Sequence, residues 1–583
     1  MAGSGAQAQI AVAGLVFEKD VAIAASDGLQ LRANVFRPEG AGKFPVIISM
    51  SPYGKDIHFQ DYLPSGWAEL TRLVPDVCKG STCQFMNWET IDPERWTPRG
   101  YVVIRVDSRG SGKSPGYLDP YSPRETQDFY DAIEWAAQQP WSNGKVGIVG
   151  ISYYATTQWQ VAALRPPHLA AILPWEGLTD VYRDSTHQGG IYGDAYLNLW
   201  WVNVLRNQHG NPEGFKDRFT SEPSNGPALS DDLLAGSRAE YPRVVGEHPL
   251  DDAWMRQRTP DLSRITVPVL SAGNWGGLAR HLRGNIEGYM GVASSQKWLS
   301  IHTGTHFDTF YKPEWTAVQM RFFDHFLKGA DNGWDGEPPV QVAIRRPTST
   351  TYRAEAAWPL PQTRWTRLHL GAASHDLSSK PPSADAQVTF DARGTGVAFN
   401  YTARREDLEF TGPLSARLWV SSTTTDADLF LTLRAFGPDG QEVTFAGAND
   451  PAAPITQGWL RLSHRRLDPL RSTPWRPWRN HQVVDKLQPG VVYPVDVEIW
   501  PTSFVLPKGY RLSFQIEGHD FERAAGRTGV GPGVVSFRGS GPFLHRRSND
   551  AIGEFAGKTT LFTGPGRESY ILLPVIPPSR AAR

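Results

Sequence analysis

"GIVGISYYATTQW", residues 147–159, joins a short apolar run to a stretch compatible with a helix, with Ser152 at the junction. A serine on a sharp turn from strand to helix holds its hydroxyl clear of the backbone, and the amide groups of the helix start can stabilise an oxyanion. The G-x-S-x-G pattern of such nucleophiles is half met, because Tyr154 takes its last position and Ala155 follows. By itself the stretch fits either a nucleophilic serine or an ordinary structural turn.

The N-terminal half of the chain alternates strand-like and helix-like segments. Six short, continuously apolar runs are typical of strands buried on both faces of a parallel sheet. They are residues 44–50, 101–107, 145–150, 169–174, 267–273 and 297–302. Amphipathic segments lie between them, including one with a capping pattern at Ser122 and Glu125 and another that ends at Gly329. This alternation predicts the α/β fold class.

Two other regions break the alternation. Aromatic and polar helix-prone stretches interrupt it in the middle, and we predict a helical cap over the carboxyl edge of the sheet. Short alternating strands with Pro, Gly and Asp turns follow, which is typical of a jelly-roll-like β-sandwich. The predicted parts are a core over residues 1–175 and 264–335, a cap over 176–263 and a C-terminal β-domain over 336–583.

Composition limits the classes of protein that the chain can belong to. Its 583 residues are too many for one core, and 40% hydrophobic with 20% charged residues is normal for a globular protein. A formal net charge of -1 gives no general attraction to nucleic acid or to an anionic membrane. We see no apolar run of transmembrane length and no basic segment before the first apolar stretch, so we expect a cytoplasmic protein.

Two cysteines, Cys78 and Cys83, stand close together in "CKGSTC". In an intracellular protein they are expected to be free thiols, and a local disulfide is the alternative. A metal site is disfavoured, because neither a second cysteine pair nor a nearby histidine cluster supplies further ligands.

Four further motifs stand in order around Ser152. They are "SPYGKD" (51–56), "DSRGSGKSPG" (107–116), "WAAQQPWSNGKVGIVG" (135–150) and "TTQW" (156–159). With the turn at Gly150, Ser152 and Tyr153, they resemble the cocaine esterase and X-Pro dipeptidyl-peptidase family of α/β-hydrolases, although Ala155 replaces the last glycine of that family's turn. The resemblance covers nearly the whole chain. It implies an α/β-hydrolase core with an inserted cap, a C-terminal β-domain, and Ser152 as the nucleophile.

The resemblance also implies an oxyanion hole and a base. One oxyanion donor is expected to be the backbone N–H of Tyr153, and the second the hydroxyl of Tyr53, whose alternative role is to pack under the sheet edge. Two histidines lie in "KWLSIHTGTHFDTFY", residues 297–311. His302 ends the apolar run and is expected to be structural. His306 lies in the loop beyond, where the family carries its catalytic histidine, and is the predicted base.

The acid of the triad is the member that does not follow the family pattern. Family members carry an aspartate in a loop that reads here "SAGNWGGLARHLRG", residues 271–284, with Gly276 about where that aspartate would stand. Glu176 follows the next strand after Ser152 and is the favoured replacement, since both strands end at one edge of the sheet. Its alternative role is a salt bridge to an arginine such as Arg183. The other candidates are Asn274, Asp308 and Glu287.

These residues predict a serine hydrolase that cleaves an ester or an amide through an acyl-enzyme, without a metal or an organic cofactor. The expected partner is a small-molecule substrate in an apolar pocket under the cap and the β-domain, with no nucleic acid and no membrane; a homo-oligomer is left open. The alternatives are an acyltransferase, an X-Pro-type aminopeptidase at the same site, and a non-enzymatic binding protein.

Overall fold

The predicted apolar runs form the centre of an eleven-stranded mixed sheet. The computed structural model describes residues 9–12, 14–529, 535–545 and 553–578. The strands of this sheet, together with the separate hairpin β8–β9, are β1 Gln9–Val12, β2 Leu15–Ala24, β3 Gln30–Arg37, β4 Phe44–Ser51, β5 Val102–Asp107, β6 Ser142–Ile151, β7 Leu169–Trp175, β8 His187–Gln188, β9 Ile191–Tyr192, β10 Val269–Asn274, β11 Lys297–His302, β12 Val340–Arg345 and β13 Thr350–Glu355.

The middle of the sheet is parallel. Its strand order is β1-β2-β3-β5-β4-β6-β7-β10-β11-β12-β13, with parallel pairing from β5 to β12 and antiparallel pairing at both ends. Each of the six predicted runs lies in one of the parallel strands, and Ile48, Ile104, Ile148 and Ile172 within them are fully buried. The carboxyl ends of β4, β6, β7, β10 and β11 therefore meet at one edge, where ligands bind in such sheets.

Helices follow most of these strands and cover the sheet. They are α1 Phe59–Tyr62, α2 Pro64–Leu73, α3 Pro93–Trp96, α4 Pro123–Ala137, α5 Tyr153–Leu164, α6 Asp194–Arg206, α7 Asp231–Gly236, α8 Tyr241–Gly246, α9 Ala253–Arg256, α10 Leu282–Gly291, α11 Asp308–Tyr311 and α12 Pro313–Lys328. The predicted capping pattern is confirmed, since Ser122 Oγ accepts the N–H of Glu125 at 3.2 Å. Helix α12 ends as predicted at Gly329, whose φ is 69°. Helices α6 to α9 lie within the predicted cap.

The C-terminal part consists of strands. They are β14 Arg364–Gly371, β15 Asp376–Ser378, β16 Ala386–Asp391, β17 Val397–Thr402, β18 Leu408–Ser422, β19 Asp428–Phe436, β20 Glu442–Val443, β21 Thr456–Arg461, β22 Tyr493–Leu506, β23 Arg511–Glu517, β24 Arg527–Gly529, β25 Val535–Phe537, β26 Lys558–Thr563 and β27 Tyr570–Ile576. The path β18-β22-β21-β19-β23-β17-β15-β14-β27 closes into a barrel because β27 also pairs with β18. The predicted jelly-roll arrangement of these strands stays a prediction.

The core sheet extends beyond the predicted boundary between residues 335 and 336. Strand β12 adds to β11 in parallel and β13 pairs with β12, so this sheet ends at Glu355. Val340 and Val342 of β12 are fully buried. The sequence did not separate these two strands from the β-domain, because no helix follows β12: β13 returns antiparallel to it, and the strands of the β-domain come next. The other domain boundaries stay predictions.

The two cysteines are not free thiols. Cys78 and Cys83 form a disulfide with their Cα atoms 5.4 Å apart, a separation that a disulfide can span. The expectation of free thiols was wrong because it rested on composition and not on this turn. Among the described residues, no helix has both the length and the apolar surface to cross a bilayer. The cytoplasmic location stays a prediction.

Candidate active site

Ser152 lies at the junction of β6 and α5 in a strained conformation. Its φ is 59° and its ψ is -110°, a region that costs a non-glycine residue about 1–3 kcal/mol and is found most often at functional sites. The N–H of Ser152 donates to the carbonyls of Trp175 and Glu176, both at 3.1 Å. These bonds to the end of β7 hold the turn, and the Ser152 hydroxyl is presented at the carboxyl edge of the sheet.

Small residues around this turn explain why the G-x-S-x-G pattern is incomplete. A Cβ added at Gly150 would lie 2.5 Å from Cβ of Tyr154, so the first glycine is required. A Cβ added at Gly177 would lie 2.5 Å from Cβ of Ala155. In the family's pattern, the last glycine lets helix and strand backbones approach closely. Here Ala155 takes that position, and the space for its side chain exists because the facing residue, Gly177, has no side chain.

The hydroxyl of Ser152 contacts a histidine that the sequence analysis did not single out. His281 Nε2 lies 3.2 Å from Ser152 Oγ. His281 immediately precedes α10, and its ring is stacked on that of His306, with the centroids 5.1 Å apart and the planes 6° from parallel. The two histidines form one buried cluster beside the nucleophile.

The predicted base and the predicted acid are hydrogen-bonded to each other. Nδ1 of His306 lies 2.8 Å from Oε2 of Glu176. A second carboxylate, which the sequence did not indicate, occupies the other ring nitrogen: Oε1 of Glu89 lies 2.9 Å from His306 Nε2. Glu89 and Glu176 have positive φ values of 62° and 49°, as Ser152 does. Three strained non-glycine residues therefore meet at one place.

Charge and burial oppose each other in this cluster. Burial alone would lower the pKa of His306, but the negative charges of Glu176 and Glu89 and their hydrogen bonds outweigh it and raise the pKa to about 10. Burial raises the pKa of Glu176 and of Glu89, and the contact with His306 offsets it only in part. Burial, helped by the positive charges of His306 and Arg280, lowers the pKa of His281 well below its usual range. A proton in this cluster therefore resides between His306 and its two carboxylates, and His281 is neutral.

The other candidates for the acid bond to partners other than the His306 ring. Asn274 Nδ2 donates to Glu176 Oε1 at 3.1 Å and so supports Glu176. Asp308 pairs with Lys312 at 2.8 Å, and Glu287 pairs with Arg476 of the β-domain. Arg183, the alternative partner of Glu176, bonds instead to Asp180 and Asp251.

His302 is placed as a structural residue. Its Nδ1 lies 3.0 Å from Thr309 Oγ1, and its ring stacks on Trp175. Burial, followed by the charges of Lys312 and His306, lowers the pKa of His302 to about 3. It is therefore neutral at physiological pH and packs behind Glu176.

The two predicted oxyanion donors lie near the nucleophile. Tyr153 is the first residue of α5, so its backbone N–H has no acceptor within the helix, while its hydroxyl donates to Glu125 at 2.6 Å. The phenolic oxygen of Tyr53 accepts the indole N–H of Trp200 at 2.8 Å. Burial, with a further contribution from the charge of Glu89, raises the pKa of Tyr53 well above its usual range. Tyr53 thus keeps its proton and can donate a hydrogen bond.

Close packing explains the glycine in the expected acid position. A Cβ added at Gly276 would lie 2.4 Å from Cα of Gly447 in the β-domain. The next residue of that domain, Ala448, donates its N–H to the Gly276 carbonyl and accepts the N–H of His306, both at 3.0 Å. An aspartate at 276 would displace this loop, and the carboxylate on His306 Nδ1 comes instead from Glu176 at the end of β7.

A cleft of about 720 Å³, counting its open part, adjoins the cluster. Core, cap and β-domain all line it, through Tyr53, Tyr62, Leu63, Trp88, Glu89, Tyr196, Leu199, Trp200, Asn203, His281, His306, Asn449, Phe537 and Pro542. Its walls are mostly aromatic or aliphatic, and its polar side chains are the two histidines, Glu89, Asn203 and Asn449. This is the composition of a pocket that binds an apolar group beside a reacting polar bond.

A metal ion is the alternative occupant of the cluster. Glu176, His281 and His306 each offer a ligand atom, and these atoms lie within 4.8 Å of one another. In the structure His281 bonds to Ser152, Glu176 to Asn274 and His306 to Glu89. Such hydrogen bonds between a nucleophile, imidazoles and carboxylates are the ones that proton transfer requires. The absence of a metal cofactor stays a prediction.

Comparison with known proteins places the chain in a family. The family description X-Pro dipeptidyl-peptidase (S15 family) matches residues 27–308, and the X-Pro dipeptidyl-peptidase C-terminal non-catalytic domain matches residues 332–572. A crystal structure of a CocE/NonD family hydrolase from Staphylococcus aureus is 33% identical, with a TM-score of 0.84, over 97% of this chain and 94% of that one. The chain belongs to the CocE/NonD hydrolase family. The predicted resemblance to the cocaine esterase and X-Pro dipeptidyl-peptidase family is thereby confirmed.

Two other proteins also match over almost the full length. Cocaine esterase of Rhodococcus sp. is 23% identical to this CocE/NonD chain, over 96% of it and 98% of the esterase. An α-amino acid ester hydrolase shares the fold at 17% identity, with a TM-score of 0.67 over 97% of this chain and 98% of that one. This CocE/NonD chain is accordingly an enzyme of the serine hydrolase class, with a mixed-sheet core and a C-terminal non-catalytic domain made of strands.

Proposed function

We propose that the enzyme hydrolyses carboxylic esters of small molecules through an acyl-enzyme on Ser152. The observation that carries the proposal is the strained turn that presents Ser152 Oγ 3.2 Å from one buried histidine, whose ring stacks on a second histidine that is bonded to Glu176. A serine in such a turn, with an imidazole–carboxylate pair and an aromatic cleft beside it, has the parts that acyl transfer requires.

In the proposed reaction Ser152 Oγ attacks the ester carbonyl and gives its proton to His306. Glu176 holds His306 through Nδ1 and stabilises its positive charge. Nε2 of His306 is bonded to Glu89 in the free enzyme, where the imidazole is protonated. When the substrate is bound, Glu89 keeps that proton and Nε2 exchanges Glu89 for Ser152 Oγ, so that a neutral His306 accepts the serine proton. Tyr53 and the Tyr153 N–H donate to the oxyanion. His306 returns the proton to the departing alcohol, and water then cleaves the acyl-enzyme by the same steps.

A second function is favoured by one observation. Oε2 of Glu89 is buried beside the cleft without a hydrogen-bond partner among the described residues. An unpaired carboxylate oxygen there could accept the amine of a peptide N-terminus, as an X-Pro-type aminopeptidase requires. Ester hydrolysis is preferred, since Glu89 already bonds to His306, and two further buried acids, Glu176 and Asp180, are bonded to His306 and Arg183.

The proposal is tested by covalent labelling and by a substrate panel. A fluorophosphonate should label the wild-type enzyme at Ser152, and Ser152→Ala should fold normally, lose labelling and lose hydrolysis by about 10⁴-fold or more. Glu176→Gln should lower kcat by about 10²- to 10⁴-fold, because the charge opposite the imidazolium is lost. Asp308→Asn is the matched control, an acid two residues from His306 that pairs with Lys312.

The panel compares 4-nitrophenyl esters with the corresponding 4-nitroanilides and with an X-Pro 4-nitroanilide. Faster turnover of the esters supports the proposal, whereas preferential cleavage of the X-Pro anilide would transfer it to the peptidase. A Ser152→Ala variant with near wild-type turnover would exclude the mechanism.

A further inference from the structure

His281 occupies the loop in which the predicted acid was missing. It follows β10, lies directly before α10, and is 3% exposed. The loop that in this family was expected to bring a carboxylate to the base instead brings an imidazole to the nucleophile, with Nε2 3.2 Å from Ser152 Oγ. The mechanism described above leaves this contact without a role.

The surroundings of His281 determine which nitrogen carries its hydrogen. A neutral imidazole has one N–H and one bare nitrogen. Nδ1 of His281 is buried and has no hydrogen-bond partner among the described residues. A hydrogen on Nδ1 would leave a buried donor unpaired, which is rarer in proteins than an unpaired acceptor. The hydrogen therefore belongs on Nε2, where it meets Ser152 Oγ.

We infer that His281 is a catalytic residue that donates its Nε2–H to Ser152 Oγ and leaves the hydroxyl proton of Ser152 free for His306. The inference rests on the proposed function. A donor aimed at Oγ stabilises the negative charge that develops there as the proton leaves. It stabilises the same charge again when Oγ departs from the acyl group during deacylation. His281 remains neutral throughout, and no proton is transferred to or from it.

The stacking of the two histidines argues against the opposite assignment, in which His281 itself takes the proton of Ser152. Its ring lies 5.1 Å from that of His306 and nearly parallel to it, and Arg280 is its neighbour in sequence. The two carboxylates that stabilise a positive imidazole, Glu176 and Glu89, are both bonded to His306. A proton on His281 would place a second positive charge in a buried site without a carboxylate partner.

The test compares His281→Gln with His281→Leu. The glutamine amide carries N–H donors at about the distance of Nε2 but cannot accept a proton, and leucine offers neither. We expect His281→Leu to lower both kcat for an ester and the rate of Ser152 phosphonylation by about 10²-fold, whereas His281→Gln retains activity within about 10-fold of wild type. KM should change little in both variants.

Two results would overturn the inference. Equal and complete loss in both variants would make His281 the proton acceptor, and wild-type rates in His281→Leu would leave the contact without a catalytic role. If His281→Leu does not fold, His281→Ala takes its place in the comparison with His281→Gln, because alanine also offers neither a donor nor a base. His187→Gln is the control for the loss of a buried histidine, since His187 stacks on Tyr182 away from Ser152. Labelling of wild-type Ser152 tests the proposed function separately, so its failure is distinguishable from the failure of this inference.

Discussion

Each nitrogen of the His306 ring faces a carboxylate, and this fixes how the site responds to pH. Glu176 lies on Nδ1 and Glu89 on Nε2, the ring of His281 is stacked alongside, and Asp308 follows two residues later. The two carboxylates raise the pKa of His306 to about 10 against the effect of burial. At neutral pH the free enzyme therefore holds its base largely protonated, and the proton must be lost or shared before His306 can accept another from Ser152.

Glu89→Gln should make the enzyme active at lower pH. The substitution keeps the size of the side chain and removes one of the two charges that raise the pKa of His306, so the pKa falls. Because the neutral form is the active base, the rise of kcat/KM with pH should move to lower pH by about 1–3 units. The measurement is kcat/KM of a neutral ester across the pH range. Glu69→Gln, whose carboxylate pairs with the exposed Arg72, is the control, and a profile unmoved by Glu89→Gln would contradict the assignment of His306 as the base.

The sequence predicted some of these residues and missed others for a physical reason. Ser152, Glu176 and His306 follow strands of a parallel sheet, and strands that end at one edge place their next residues together. Glu89 and His281 are brought in by loops whose paths no strand pattern shows. The positive φ of Glu89 and the contact of Gly276 with Gly447 depend on packing between segments far apart in sequence, so neither could be seen beforehand.

At the scale of elements, a helix of the predicted cap bonds to a residue of the proposed oxyanion hole. Helix α6 carries Trp200, whose indole N–H donates to the phenolic oxygen of Tyr53 at 2.8 Å. An oxygen that accepts this bond leaves its own hydrogen free to point at the oxyanion, and the bond fixes the direction of the phenol. The sequence predicted a cap over the carboxyl edge of the sheet. In the structure Trp200, from the predicted cap, bonds to Tyr53, which is a predicted oxyanion donor.

Trp200→Phe should lower kcat by about 10-fold with little change in KM, because it removes the donor and keeps most of the ring. Tyr53→Phe should cost more, about 10²-fold, since it removes the oxyanion donor itself. Trp201→Phe is the matched control, because Trp201 lies in the same helix and its indole N–H has no partner within the described residues. Steady-state kinetics on one short acyl ester compare the three variants. Equal kcat in Trp200→Phe and Trp201→Phe would mean that the hydrogen bond between Trp200 and Tyr53 does not contribute to catalysis.

At the scale of the whole molecule, the β-domain supports the catalytic loops although it carries none of the proposed triad. Ala448 bonds both to Gly276, in the loop after β10, and to the backbone of His306, in the loop after β11. Phe537 and Asn449 of the same domain line the cleft. The β-domain therefore lines the cleft and holds the backbone of His306, the proposed base.

Gly276→Ala should disturb this support without touching a reacting group. The added Cβ would lie 2.4 Å from Cα of Gly447, so the β-domain loop must move and the bond between Ala448 and His306 must lengthen. We expect kcat to fall by about 10-fold or more, since small displacements of a catalytic group are costly, and the thermal midpoint to fall as well. Gly277→Ala is the control in the same loop, because the nearest atom to its added Cβ is 3.2 Å away and belongs to the loop itself. The kcat of each variant is compared at a temperature where both are folded. Wild-type kcat in Gly276→Ala would mean that the β-domain only encloses the substrate and does not position His306.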